Sequence, residues 1–508
     1  MIKKTALLLI LFGISTCLVA QDATYKEQYR PQFHFSPAIN WMNDPNGMVY
    51  YDGEYHLFYQ YNPFGDKWGH MSWGHAVSTD LVHWEHLPVA LYEENNVMIF
   101  SGSAVVDHQN PTGFGTIDNP PMVAIYTGHH TDQKRQDQRL AYSLDKGRTW
   151  KKYEGNPVLD EQMADFRDPK VIWHEESEQW IMVLAIPLEF KVAFYGSDDL
   201  KNWNKLSEFG PSGAVGGIWE CPLLFEVPVD GTDETKWVLQ VDLNPGGPAG
   251  GSGSQYFVGD FDGITFVQDP TSAGRTLWAD HGPDFYAVHS FENVTTDDGN
   301  HIWMAWMNNW DYAQDIPTSP WRSSMTIPRE VGLKQYADGI YLTQQPIKEL
   351  RKLRSAHRVF SPFTISKNDR WKPDEWRQSL SFEMIIELDV NEATETGLTF
   401  KNSSGEEIQI TYLSATKELQ FDRSDSGETD FNEKFSKRHS VSVIPENGSL
   451  KLHLFIDASS IEIFANEGRI SITERVFPEA KPFDLSIFSK GGESMVTRLE
   501  VWNLASIW

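Results

Sequence analysis

The sequence predicts an all-β protein, a propeller-like array of short strands followed by an antiparallel β-sandwich. Three observations lead to this. The first two-thirds of the 508 residues alternates short β-branched or aromatic runs with clusters of Gly, Asn, Asp and Pro, almost without helical periodicity. A short acidic motif closed by an aromatic recurs in this part. Near Gln345 the composition changes, and the later runs alternate apolar and polar positions, as a sheet with one buried face requires.

Residues 1–20 read as a secretory signal peptide. Lys3 and Lys4 precede the mostly apolar stretch Thr5 to Ile14, and Ala20 offers a cleavage point before Gln21. Cys17 supports a second reading, a lipid-anchored N-terminus, although Thr16 is bulkier than the residue that usually precedes such a cysteine. No later apolar run is long enough to cross a bilayer, so no integral membrane span is expected.

Residues 21–344 are expected to form the propeller. Tyr55-His-Leu-Phe-Tyr-Gln-Tyr61, Met122-Val-Ala-Ile-Tyr-Thr127 and Trp180-Ile-Met-Val-Leu-Ala185 read as strands. The recurring motif is Ser78-Thr-Asp-Leu-Val-His-Trp84, then Ser143-Leu-Asp-Lys-Gly-Arg-Thr-Trp150, then Ser197-Asp-Asp-Leu-Lys-Asn-Trp203. Gly259-Asp-Phe-Asp-Gly-Ile-Thr-Phe266 is a weaker echo. Unrelated hairpin turns rich in Asp and Ser are the plainer explanation. The near-constant offset of the aromatic favours repeated blades, spaced roughly 55–65 residues apart. Gly246 to Gly253 reads as a flexible loop. Residues 345–358, with the basic run Gln345-Pro-Ile-Lys-Glu-Leu-Arg-Lys-Leu-Arg354, read as a linker. Residues 359–508 are expected to form the sandwich, from alternating runs such as Leu380-Ser-Phe-Glu-Met-Ile-Ile-Glu-Leu388 and Ser460-Ile-Glu-Ile-Phe464.

A formal net charge of −28 argues against nucleic acid and anionic membrane surfaces as partners. It suits a neutral substrate, though solubility outside a cell accounts for most of it. Abundant Trp, Tyr and Phe suit stacking on sugar rings, and large β-proteins also use them as core. Without the signal segment Cys221 is the only cysteine, so no internal disulfide framework is expected.

Three carboxylates sit in unusual local sequence: Asp44 in Trp41-Met-Asn-Asp-Pro-Asn-Gly47, Asp168 in Phe166-Arg-Asp-Pro169, and Glu220 in Trp219-Glu-Cys-Pro222. Each alone reads as a turn, a surface ion pair or nothing at all. Together they suggest one pocket, because paired carboxylates are the usual machinery for breaking a glycosidic bond. Donors from Asn43, Asn46 and backbone N–H groups around Asp44 favour its ionised form. Arg167 is expected to hold Asp168 ionised. Trp219 and a facing carboxylate would push Glu220 toward its protonated form, as a general acid needs. His56, His70, His75, His83 and His86 show no ligand spacing, so no metal and no cofactor are expected.

The three motifs, in this order, resemble glycoside hydrolase family 32, the invertases, inulinases and levanases. Phe58-Tyr-Gln-Tyr-Asn-Pro63, Trp73-Gly-His-Ala76, Phe100-Ser-Gly-Ser-Ala-Val105, Asp284-Phe-Tyr-Ala287 and Trp303-Met-Ala-Trp-Met-Asn-Asn-Trp310 resemble family motifs too. So does Phe455-Ile-Asp-Ala-Ser-Ser-Ile-Glu-Ile-Phe464, so the resemblance covers nearly the whole mature chain. It implies a five-bladed propeller, with the site in an axial funnel, followed by a sandwich. It makes Asp44 the nucleophile that forms a covalent fructosyl-enzyme. Glu220 becomes the acid and then the base, and Asp168 holds fructose hydroxyls and stabilises the transition state. Retention of configuration implies carboxylates roughly 5–5.5 Å apart. Asn43, Gln60, Arg167 and Ser101 would bind the terminal fructose, Trp68, Phe100 and Trp310 would wall the pocket, and Tyr286 would touch Glu220 or the sugar.

The reading is therefore an exported fructan β-fructosidase, periplasmic or extracellular, that releases terminal fructose from levan, inulin and sucrose. The segment Asn308-Asn-Trp-Asp-Tyr-Ala313 resembles exo-acting members. An endo-levanase, a sucrose-preferring invertase, a non-catalytic fructan-binding protein and an inverting propeller glycosidase acting on arabinan are the competing readings. Linkage preference and oligomeric state are not legible in the residues.

Overall fold

The computed structural model describes residues 25–374, 381–390, 392–479 and 483–508. The signal segment 1–20, with Cys17, and Leu380 lie outside the described residues. Apart from two short 3-10 turns, the regular elements among the described residues are strands. Among the described residues, no helix is long and apolar enough to cross a membrane.

The first part is a five-bladed propeller of four-stranded antiparallel blades. Their inner strands are Asn40–Tyr51, Val97–Val106, Arg167–His174, Ile218–Asp230 and Tyr286–Ser290. Each inner strand touches the next and the fifth touches the first, which closes a ring around the axis. Two parallel pairings tie the ring further. Val229 and Asp230 pair with Leu333 and Lys334, joining the fourth and fifth blades. Trp321 and Arg322 return to pair with Asn40 and Trp41 of the first blade.

The recurring motif occupies one structural place. It forms the turn between the third and fourth strands of the first four blades. Asp80 Oδ1 accepts the N–H groups of Val82 and His83, Asp199 Oδ1 those of Lys201 and Asn202, and Asp262 Oδ1 those of Ile264 and Thr265. Trp84, Trp150 and Trp203 each donate Nε1–H to a carbonyl three residues back. The acidic residue caps turn donors and the aromatic folds back over them. In the fifth blade the equivalent turn is the tight hairpin at Tyr336–Gly339.

Aromatic and aliphatic side chains fill the spaces between blades. Ile181, Phe194, Trp219 and Leu239, for example, pack between the third and fourth. The glycine run at 246–253, read as flexible, is instead pinned. Gly246 and Gly247 N–H groups donate to Gly251 O, and Asn309 bonds to Gly250 O and Ser252 N.

A 3-10 turn, Lys348–Leu353, separates the last propeller strand, Gly339–Pro346, from the first strand of the second part, Arg354–Phe360. The second part is a sandwich of two sheets around one apolar core that includes Met384, Ile386, Leu398, Ile410, Leu454 and Leu485. Its strand Ser460–Ala465 shows how the two parts join. Ile461 and Ile463 enter the sandwich core, whereas Glu462 faces the propeller and accepts from Arg329 Nε at 3.1 Å and Ile327 N at 2.8 Å.

Candidate active site

Every inner strand of the ring is interrupted near its N-terminal end. The pairing register slips between Met42 and Pro45, Ile99 and Gly102, Arg167 and Lys170, Glu220 and Leu223, and Tyr286 and His289. Asp168, Cys221 and Ala287 take left-handed backbone angles there, with φ of 65°, 47° and 53°. Such bulges twist a strand and re-aim its side chains. Gly47 follows the same need: its φ is 52°, and a Cβ would stand 2.7 Å from the Phe58 ring. Five bulges at one level of the ring turn Asp44, Ser101, Asp168, Glu220 and Tyr286 toward the same mouth of the axis.

Asp44 Oδ1 accepts from Asn43 Nδ2 at 2.9 Å, and its Oδ2 accepts from Ser101 Oγ at 2.6 Å. Trp41 Nε1 holds Asn43 in turn at 2.7 Å. Asp168 Oδ2 accepts the Cys221 N–H at 3.0 Å, and the Asp168 N–H donates to Thr127 Oγ1. Arg167 Nε donates to Glu220 Oε1 at 3.0 Å and lies 3.9 Å from Asp168. Tyr286 Oη donates to the other Glu220 oxygen at 2.5 Å. Cys221 Sγ stands between two acids, 3.7 Å from both Asp44 and Asp168. All three acids keep some solvent exposure: 9% for Asp44, 6% for Asp168 and 18% for the Glu220 side chain.

Of the remaining expected residues, Phe100 and Trp310 pack in one cluster with Tyr286 and Cys221. Gln60 lies across from the Asn43–Asp44 bulge, and its buried Nε2 has no partner. Phe100 stacks on His129 at 4.4 Å and meets Trp68 edge-on at 6.1 Å. Trp310 packs on Trp41 and Trp306, with centroids 6.0 and 4.8 Å away. Trp68 remains 39% exposed at the rim.

Three expectations need correction. Burial pushes the Asp44 carboxyl above its usual range, and the Ser101 and Asn43 donors only partly offset this. Burial likewise pushes Asp168 up to about 7 against the pull of Arg167, with Glu220 and Asp44 adding like-charge repulsion. Trp219 does not flank Glu220. It packs in the inter-blade core and donates to Ala214 O at 2.9 Å, because successive strand residues face opposite sides.

The structure also brings in residues that the sequence reading passed over. Burial between Asp168 and Asp44 keeps the Cys221 thiol protonated. Asp242, cross-strand from Glu220, is fully buried, accepts from Ser254 Oγ, and is pushed well above the carboxylate range by burial. Gln136 accepts from Phe166 N at 2.8 Å and Arg167 Nη1 at 3.3 Å, which fixes the arginine. The strand alternation of Asp242 with Gln240 was readable; its nearness to Glu220 was not.

A five-bladed propeller with three acids, an arginine and an aromatic wall at one axial mouth defines a class, the propeller glycoside hydrolases. The particular family follows from comparison. The profile of the glycosyl hydrolases family 32 N-terminal domain matches residues 34–346, and that of the family 32 C-terminal domain matches residues 349–503. The chain belongs to glycoside hydrolase family 32. It is 45% identical to a levanase of Bacillus subtilis, over 100% of this chain and 75% of that protein. It is 41% identical to an extracellular exo-inulinase of Aspergillus niger, over 98% of this chain and 99% of that one. The crystal structure of the Aspergillus awamori exo-inulinase superimposes with a TM-score of 0.89 at 39% identity, covering 95% of this chain and 100% of that one. The β-fructofuranosidase of Schwanniomyces occidentalis gives 0.84 at 36%, covering 96% and 99%.

Proposed function

We propose that this protein is an exported, retaining β-fructosidase that removes terminal fructose from fructans, levan and inulin, and from sucrose. The observation that carries the reading is the convergence of Asp44, Asp168 and Glu220 at one mouth of the ring, with Arg167 and Tyr286 on Glu220. Similarity over nearly the full length to a levanase and to extracellular exo-inulinases supports the substrate class and the export. The charged and apolar start of the chain supports export as well.

In this reading Asp44 attacks the anomeric carbon of the fructosyl unit. That carbon is tertiary, so its cation-like state is accessible, and a facing anion stabilises it. Glu220 protonates the leaving oxygen, and after departure of that group it takes a proton from the water that releases fructose. Asp168 accepts from fructose hydroxyls and stabilises positive charge at the reacting carbon. Burial pushes Asp44 and Asp168 above the usual carboxylate range, with like-charge repulsion adding to it, so a proton is held within the cluster. Such a cluster retains the proton that the departing group needs. Gln60, with an unpaired buried amide, and Asn43 contact the sugar, and Trp68, Phe100 and Trp310 enclose it.

The test is a product profile on levan, inulin and sucrose. Fructose as the sole early product from levan and inulin, and fructose with equimolar glucose from sucrose, is expected, with Glu220→Gln slower by roughly three orders of magnitude. Early oligosaccharides would convert the reading to an endo-levanase. Equal silence of wild type and variant on every fructan would leave only a binding protein.

A further inference from the structure

One set of contacts runs from the sandwich to the roots of two pocket walls. Arg423, on the sandwich strand Glu418–Asp425, is fully buried. Its Nη1 donates to Asp284 Oδ2 at 2.6 Å and to Arg475 O at 3.0 Å. Its Nη2 donates to Tyr312 Oη at 2.9 Å, and Tyr312 Oη donates to Asp284 Oδ1 at 2.6 Å. Asp284 accepts a third donor, the Arg475 N–H, at 2.8 Å. Asp284 stands two residues before Tyr286, the donor to Glu220. Tyr312 stands two residues after Trp310. One guanidinium therefore fixes the start of the fifth inner strand and the segment that carries the tryptophan.

Other sandwich groups reinforce the second of these. Phe431 and Phe435 pack edge-on against the Tyr312 ring, and Phe477 packs behind both. Lys434 Nζ donates to Asp311 Oδ1 at 2.7 Å, and Asn432 Nδ2 donates to Asp311 O at 3.2 Å and to Asp315 Oδ2 at 2.9 Å. Asn309 Nδ2 links the same segment to Pro283 O at 2.7 Å, which ties the two roots to each other.

We propose that the sandwich positions the pocket through this set, with Arg423, Asp284 and Tyr312 as positioning residues for Tyr286 and Trp310. Joining the two parts does not by itself require Arg423. A second buried network, Arg329 with Glu462, Asp280 and Thr473, also spans the interface, and its Thr473 carbonyl accepts the Asp284 N–H at 3.2 Å through the backbone, which a side-chain change at Thr473 leaves in place. Buried ionic groups contribute little net stability but can specify one geometry. Here the geometry specified is that of the sugar-facing wall.

The inference rests on the fructosidase reading of the pocket, and the experiment separates the two. Tyr312→Phe keeps the ring in its phenylalanine cage and removes only the linking hydroxyl. Arg423→Lys keeps the charge but cannot reach all its acceptors. Thr473→Val removes one hydroxyl from the other network. A displaced wall raises KM for sucrose and inulin, by roughly five-fold in Tyr312→Phe and roughly twenty-fold in Arg423→Lys. Thr473→Val is expected to stay within about two-fold of wild type at a comparable loss of thermal midpoint. Losses of stability in all three variants with KM unchanged would overturn the proposal, and Tyr312→Phe decides alone if Arg423→Lys does not fold. If wild type releases no fructose, the functional reading falls instead. Crystal structures then decide the positional claim: a shifted Trp310 and a longer Tyr286–Glu220 contact support it, and an unmoved wall overturns it.

Discussion

An inner strand of the propeller and a central strand of the sandwich obey the same alternation, yet only the first is interrupted where it matters. Ser449–Asp457 pairs with Phe382–Asp389 on one side and with Ser460–Ala465 on the other without a register slip. All five inner strands of the ring slip at the level of the acids. The sandwich places its side chains where an unbroken ladder sends them, and its inward face is one apolar core. The ring bends its ladders, so that polar groups from five separate blades meet. Regularity provides stability, and its local loss provides a site.

Replacing Asp44 tests the sharpest form of this contrast. Asp44→Asn should lower kcat on sucrose by on the order of 10^4-fold, and thermal unfolding should show the fold intact. A small loss of turnover would remove the nucleophile from the bulge of the first blade. Arg329→Met addresses the interface between the two parts. It leaves Glu462 and Asp280 buried without their guanidinium, and stability in urea should fall by about 3–5 kcal/mol. Folded Arg329→Met enzyme should keep its KM, and a raised KM would mean that this network also shapes the pocket.

A third variant probes the cost of the site itself. Burial pushes the Asp168 carboxyl from its ordinary 3.8 up to about 7 in the folded protein, so the folded state binds more protons between those values. Stability should therefore decline as pH rises from about 4 to 7, and Asp168→Asn, which lacks that decline, should become the more stable protein by on the order of 1 kcal/mol or more above pH 7. Denaturant titrations at pH 4 and pH 8 measure this, and an equal difference at both would refute the assigned burial effect. The smallest effect concerns the repeated turn. Asp199→Ala removes the acceptor of two turn N–H groups in the third blade, and about 1 kcal/mol should be lost with kinetics unchanged.

Much of the site was legible because bulged strands need unusual local sequence. Pro45, Gly47, Pro169 and Pro222 mark where the ladders break, and the acids sit beside them. The turn motif was legible because its donors and acceptors lie within a few residues. The ionisation of Asp44 and Asp168 was misjudged because local donors can be read from a sequence, whereas burial among other acids cannot. Trp219 was misplaced for a simpler reason, since neighbours along a strand point to opposite faces. The glycine run 246–253 looked free because its partner, Asn309, is remote in the chain.

By itself the sequence determined the elements: which runs are strands, where turns close, and which three carboxylates depart from ordinary surface acids. Those properties follow from near neighbours, through steric limits, alternation and short-range hydrogen bonds. Only the tertiary structure decided which groups meet. Closing the ring set Cys221 between Asp44 and Asp168, strand pairing within the fourth blade put Asp242 across from Glu220, and the docked sandwich put Arg423 behind the pocket wall. Such contacts join residues tens to hundreds of positions apart, and burial, which no local window contains, sets their charge.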